Sequence, residues 1–189
     1  VPYFDYHQMT EKWWCQLHKR IPDISWPGIP QFLARSSGTT GKKSKKLPVT
    51  DDMVQAITSA GIKQIGSLAN FDVPADFFEK EVLMLGSSTT LDEENGFLVG
   101  EISGISASKI PNWFRNFYKP GEKIAQIKDW DEKVDEIVKK APEWDIGALS
   151  GIPSWMDVAL GLTDVLVEQL WALDRQEVAT VRARRLPER

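Results

Sequence analysis

Apolar positions recur at helical spacing in four segments, with short apolar runs between them. In Tyr6 to Arg20, Trp13, Trp14 and Leu17 share one side before Pro22 forbids continuation, which predicts a helix over 7–20. Residues Asp23 to Arg35 carry Pro27, Gly28 and Pro30 and read as an irregular connector feeding a short strand, Gln31 to Arg35. After a glycine- and lysine-rich stretch, Lys46 to Thr50 reads as a second strand whose Pro48 an edge position tolerates. Thr50 then suits the N-cap of a helix over 51–69, with Val54, Ile57, Gly61, Ile65 and Leu68 at helical spacing. The order is strand, loop, strand, helix.

Strands dominate the middle of the chain. Val82 to Gly86 and Phe97 to Ile102 are apolar runs separated by Asp92-Glu93-Glu94-Asn95-Gly96, and a hairpin or neighbouring pair is the simplest account, with the acids in a solvated turn. Trp113, Phe114, Phe117 and Tyr118 fit one face of a short helix. Asp129 and Glu132 form a capping-box pattern ahead of Trp130, Val134, Ile137, Val138 and Ala141, which predicts a helix over 130–141 ended by Pro142. Ile146 to Leu149 reads as a buried strand, and Trp155, Ala159, Leu162, Leu166 and Leu170 as one side of a last helix over 153–172. The fold class is therefore α/β, a mixed sheet flanked by helices. The expected core includes Trp13, Ile57, Ile65, Leu83, Leu85, Val134, Ile137, Leu149, Trp155 and Leu166.

Composition narrows the setting. A chain of 189 residues, 42% apolar, can bury a core and is expected to form one domain over 1–172. Lys plus Arg total 23 against 27 for Asp plus Glu, so the net charge of -4 gives no general bias toward nucleic acid. Cys15 is the single cysteine and cannot close an intramolecular disulfide. No apolar run approaches the roughly 20 residues that span a bilayer, and the first residues lack the regions of a signal peptide, so the expectation is a soluble, cytoplasmic protein with neither nucleic-acid nor membrane partners. Residues 173–189 hold arginines but no lysine and no aromatic, unlike the lysine-using body, and read as an unmatched tail or flexible basic end.

Candidate chemistry concentrates in Ser36 to Thr50, SSGTTGKKSKKLPVT. Glycines let backbone N–H groups close around an anion, hydroxyls add neutral donors, and an ammonium adds a point charge. That combination suits a phosphate. Two other readings compete. A Walker loop is suggested by Gly41-Lys42 but needs glycine at 36 and Ser or Thr at 43, where Ser36 and Lys43 stand. A basic linker in a non-catalytic binding or interaction module has a similar composition, although strands on both sides argue against a bare linker. The stripe His7, Glu11, Cys15 and His18 spreads over three helical turns, too far to converge on one tetrahedral ion, and reads as a solvated or packed face.

The loop resembles the phosphate-binding motif of the auxin-responsive acyl-acid amido synthetases, the Gretchen Hagen family of acyl-adenylate-forming enzymes. That family writes Ser-Ser/Thr-Gly-Thr-Ser/Thr-Gly-Gly-x-x-Lys, then Pro. Ser36, Ser37, Gly38, Thr39, Thr40, Gly41, Lys45 and Pro48 match, and Lys42 stands where the family has its last glycine. Trp26-Pro27-Gly28-Ile29-Pro30, Asn70-Phe71-Asp72 and Gly147 to Trp155 also resemble bacterial members, so the likeness covers about residues 2 to 156.

The resemblance implies an enzyme that uses ATP and magnesium to activate a small carboxylic acid as its adenylate and joins it to an amino acid. It implies that Ser36, Ser37, Gly38, Thr39, Thr40, Gly41 and Lys45 bind the nucleotide phosphates, with Lys45 catalytic through stabilising the departing pyrophosphate. The family's Tyr-x-Ser-Ser-Glu-like motif for adenine and magnesium and its ribose-binding Tyr-x-x-Gly-Asp-like motif have no match in residues 150–189. The expectation is thus part of an N-terminal adenylation domain, incomplete as a catalyst and holding no magnesium ligand. Apolar surface left uncovered near the carboxy-terminal half would then promote self-association.

Overall fold

The computed structural model describes residues 3–36, 44–152, 155 and 156. Ser37, Gly38, Thr39, Thr40, Gly41, Leu166, the tail 173–189, and the expected helix over 153–172 apart from Trp155 and Met156 lie outside the described residues.

The first helical segment is α1 (Tyr6–Met9), a π-helical stretch (Thr10–Trp14) and α2 (Cys15–Leu17). A π-turn adds a residue to the repeat and so rotates the next helical turn relative to the one before it. Trp14 and Leu17 are therefore buried, whereas Trp13, expected in the core, is half-buried against Phe4 at 4.9 Å between ring centroids. His7, Glu11, Cys15 and His18 are all exposed.

The remaining elements are β1 (Phe32–Arg35), β2 (Lys46–Val49), α3 (Asp51–Ser67), β3 (Glu81–Leu85), β4 (Asp92–Glu94), β5 (Phe97–Glu101), α4 (Ile102–Ala107), β6 (Tyr118–Lys119), α5 (Glu122–Ala125), α6 (Trp130–Lys140) and β7 (Ile146–Gly151). Thr50 caps α3, its hydroxyl accepting from the Met53 N–H at 3.1 Å, and Asp129 caps α6, accepting from the Glu132 N–H at 2.9 Å. No described helix is long and apolar enough to cross a membrane.

Two sheets result. One runs β2-β1-β5-β4 and is mixed: β1 pairs antiparallel with β2 and parallel with β5, and β4 pairs antiparallel with β5. Pro48 sits in the edge strand β2, where its missing N–H costs no ladder bond. The other runs β6-β3-β7, all parallel. Alternation in β1 sends Phe32 and Ala34 to one face with Val49, Val54 and Ile105, and Leu33 to the other with Leu17, Phe97 and Val99. In the second sheet Leu83 and Leu85 meet Ile137, Ala141, Trp144 and Ile146.

Several expectations are corrected. The runs 82–86 and 97–102 are not neighbours, since β3 and β5 belong to different sheets. The hairpin is β4–β5, and its turn is Asn95-Gly96 alone, with φ of 51° and 73° as a two-residue turn with both central φ positive requires. Asp92, Glu93 and Glu94 form strand β4 instead of a turn. On α3 only Val54 is buried, and Ile57 and Ile65, expected inside, are 37% and 38% exposed. The aromatics at 113–118 divide between a 3-10 turn, Asn112–Phe114, the turn that follows it, which holds Phe117, and β6, leaving Trp113 exposed and Tyr118 buried, with its phenol pushed up to about 12 by burial. Leu149 and Trp155 are half-buried, Trp155 stacking on Trp130 at 4.4 Å.

Candidate functional site

The residues at the two ends of the glycine-rich loop are held together. β1 delivers Arg35 and Ser36, and the antiparallel register sets Arg35 opposite Lys46. The Ser36 N–H donates to the Lys45 carbonyl at 2.9 Å, and the Lys45 N–H donates to Ser36 Oγ at 3.3 Å. The stretch between them joins adjacent strands of one sheet, which a linker between separate bodies would not do. β1 also runs parallel to β5, with Arg35 beside Glu101, so the loop leaves the carboxyl ends of parallel strands, where open α/β sheets place their ligands.

Charge at this mouth is arranged by β4. Asp92 and Glu94 are two apart on one strand and so point to the same face. Arg35 donates to Asp92 Oδ2 at 2.9 Å and to Glu94 Oε1 at 2.7 Å. Glu94 also takes Lys46, and Asp92 takes Lys128 at 2.6 Å. The ammonium of Lys46 and the Arg35 guanidinium hold the Glu94 carboxyl below its ordinary range, and Lys128 followed by Arg35 does the same for Asp92. The guanidinium is raised in turn, chiefly by Glu94. Two of the basic groups flanking the loop are thus engaged with carboxylates.

Lys45 is placed differently. Its side chain is exposed, with Nζ 4.9 Å from the centroid of the Tyr6 ring. The Lys46 N–H donates to the Tyr6 hydroxyl at 3.3 Å, so Tyr6 contacts both Lys45 and Lys46, where the chain leaves the loop for β2.

A second hydroxyl-rich turn, Ser87 to Thr90, leaves the carboxyl end of β3. Ser87 donates to Glu101, and its N–H donates to Ser103 Oγ at 3.1 Å. Ser88 and Thr90 both donate to the Gln126 carbonyl, at 2.8 and 3.0 Å. Lys133 of α6, only 4% exposed, donates to the carbonyls of Gly86 and Ala125 at 3.2 and 3.3 Å. Burial pushes that ammonium below its ordinary value, while Glu101 pushes it up. Gly104 is required here because a Cβ would lie 2.2 Å from the Ser88 carbonyl oxygen. These bonds tie the two sheets together beside the loop.

Of the residues the sequence nominates, Ser36 and Lys45 are described and adjacent, and Ser37, Gly38, Thr39, Thr40 and Gly41 lie outside the described residues. Sequence reasoning misses Arg35, Asp92, Glu94 and Tyr6. The first three carry a weak signal, alternate acids after an apolar run with an arginine at a strand end, but their pairing spans more than fifty residues and no local pattern encodes it. Among the described residues no three of His, Cys, Asp and Glu converge as a metal site.

Residues 3–135 match the family model described as the GH3 family N-terminal domain. No curated protein matches the chain.

Proposed function

The chain belongs to the GH3 family, whose members are acyl-acid amido synthetases, and from that premise we propose that it serves the ATP-dependent adenylation of a small carboxylic acid before amide formation with an amino acid. The observation that supports this most is the closure of the 36–45 loop by Ser36 and Lys45 at the carboxyl end of β1. In the first half-reaction a carboxylate oxygen attacks the α-phosphorus of ATP while the bond to the bridging oxygen breaks, and pyrophosphate leaves with the electron pair. In the second, the amine attacks the acyl carbon, AMP departs with the acyl–oxygen electron pair, and the amine gives up a proton.

The residues proposed for this chain act on the first half. The Ser36 hydroxyl and the backbone N–H groups and hydroxyls of Ser37, Gly38, Thr39, Thr40 and Gly41 bind phosphate oxygens, and Lys45 counters the charge that grows on pyrophosphate. Donors set in place before the reaction stabilise that charge more than the ground state, which is what accelerates the step. Magnesium would supply further neutralisation of the phosphates, and none of the steps assigned to these residues depends on a metal ligand from this chain.

Exchange of labelled pyrophosphate into ATP, driven by a panel of carboxylic acids, tests the proposal. Where this domain is accompanied by the family's adenine-, ribose- and magnesium-binding parts, acid-dependent exchange that Lys45→Ala reduces is the expected result; the 189 residues alone should bind pyrophosphate, more weakly in Lys45→Ala. Removing a charge-assisted hydrogen bond costs about 1.5–3 kcal/mol, so the reduction should be roughly 10- to 150-fold. Lys46→Ala should do far less, because that ammonium is committed to Glu94. Phosphate binding with no exchange under any acid, even with those parts present, would instead favour a non-catalytic binding module.

A further inference from the structure

The residue proposed to meet phosphate is an exposed lysine on a long flexible stem, and such a side chain ordinarily samples many rotamers. Here its ammonium lies 4.9 Å from the centre of the Tyr6 ring, within the roughly 6 Å over which a cation is drawn to an aromatic face. The ring is itself built in. Tyr6 is the first residue of α1, and Asp5 caps that helix reciprocally: the Gln8 N–H donates to Asp5 Oδ1 at 2.9 Å, and the Asp5 N–H donates to Gln8 Oε1 at 3.0 Å. Thr10 donates to the Tyr6 carbonyl at 2.8 Å. The ring stands edge-on to buried Trp14 with centroids 5.9 Å apart, which anchors it to the body of the molecule. Its hydroxyl accepts from the Lys46 N–H at 3.3 Å, fixing the ring against the first residue of β2, next to Lys45.

We infer that Tyr6 is a positioning residue for Lys45: its ring face holds the ammonium at the closed end of the loop and so raises the affinity for a phosphate or pyrophosphate group. This role rests on the phosphate reading of the loop under Proposed function. The contrast with the neighbouring cations supports it. Arg35 and Lys46 are held by Asp92 and Glu94, whose negative charge competes with any phosphate for them. A π face orients an ammonium without neutralising it, so Lys45 stays available to an anionic ligand. The two parts of Tyr6 also separate cleanly by chemistry, since the ring serves Lys45 and the hydroxyl serves the Lys46 backbone.

The test uses the full 189-residue chain and inorganic pyrophosphate as the probe. Titration calorimetry at low salt gives affinity, and side-chain NMR of Lys45 reads the ring-current shift of its terminal methylene. In the unmodified chain and in Tyr6→Phe, which keeps the ring, the methylene should be shifted upfield and the affinities should agree within about twofold. In Tyr6→Leu the shift should vanish and the affinity should fall about two- to fivefold, the scale of one exposed cation–π contact. In a Lys45→Ala background, Tyr6→Leu should cause no further loss, an outcome that a merely structural role for Tyr6 would not produce. A Lys45 resonance indifferent to Tyr6→Leu, or an equal loss with and without Lys45, would overturn the role of Tyr6 alone. Absence of any pyrophosphate binding by the unmodified chain would overturn both this role and the phosphate reading.

Discussion

Glu94 accepts from two cations at once, Lys46 and Arg35, and that double pairing makes the mouth of the loop sensitive to acid. Its carboxyl and that of Asp92 are held below their ordinary range in the folded chain by these partners and by Lys128. A carboxyl whose folded value is depressed contributes stability that is fully present above its unfolded value, near about 4, and is lost as pH falls through the folded value. The unmodified chain should therefore lose stability on the acid side of about pH 4, as followed by circular dichroism during acid titration. Glu94→Gln should flatten that limb and lower stability at neutral pH, because Arg35 and Lys46 then lose a charged partner. An acid limb of unchanged steepness in Glu94→Gln would show that the pair adds no pH-dependent stability, as many exposed ion pairs do not.

Elements are legible in the sequence where a local rule sets them. Thr50 and Asp129 show their caps because a cap needs only its own first turn, and Pro48 marks an edge strand because it has no N–H to give a second neighbour. Pairing is not legible, because β5 chooses β1 over β3 through contacts across more than sixty residues. Nor is burial on α3, whose stripe of Ile57, Gly61 and Ile65 resembles that of a fully packed helix although only Val54 is inside. The difference should appear in stability. Ile137 of α6 is 1% exposed among Leu83, Leu85 and Trp144, so Ile137→Ala should cost about 2–5 kcal/mol. Ile65 is 38% exposed, and Ile65→Ala should cost under about 1 kcal/mol. Urea unfolding of the two variants checks the ranking, and equal costs would mean that α3 packs as its periodicity suggests. The candidate site divides in the same way: Ser36 and Lys45 are readable from motif spacing, whereas Tyr6 and Glu94 reach it only through the tertiary fold.

At the scale of the molecule, the described residues cover one sheet on both faces and the other less completely. Residues on β1 find Val54 and Ile105 on one side and Leu17 on the other, whereas the all-parallel β6-β3-β7 sheet buries Leu83 and Leu85 against α6 and leaves Val82 and Ala148 lining a shallow cleft. Parallel sheets are ordinarily covered on both faces. Ile62 and Ile65 of α3, Phe78 and Trp113 rim the same cleft, and they are 42%, 38%, 43% and 59% exposed. A contiguous apolar surface of this kind binds apolar dyes in the native state and favours association between copies. The folded chain should therefore enhance the fluorescence of anilinonaphthalene sulfonate at neutral pH, and its sedimentation coefficient should rise with concentration. The double substitution Ile62→Lys with Ile65→Lys places two charges on the rim at positions that contribute little to the core, so both signals should fall while the cooperativity of urea unfolding is kept. A native chain that leaves the dye dark and sediments as a monomer at every concentration would show that this cleft is too small or too broken by polar groups to act as one apolar surface.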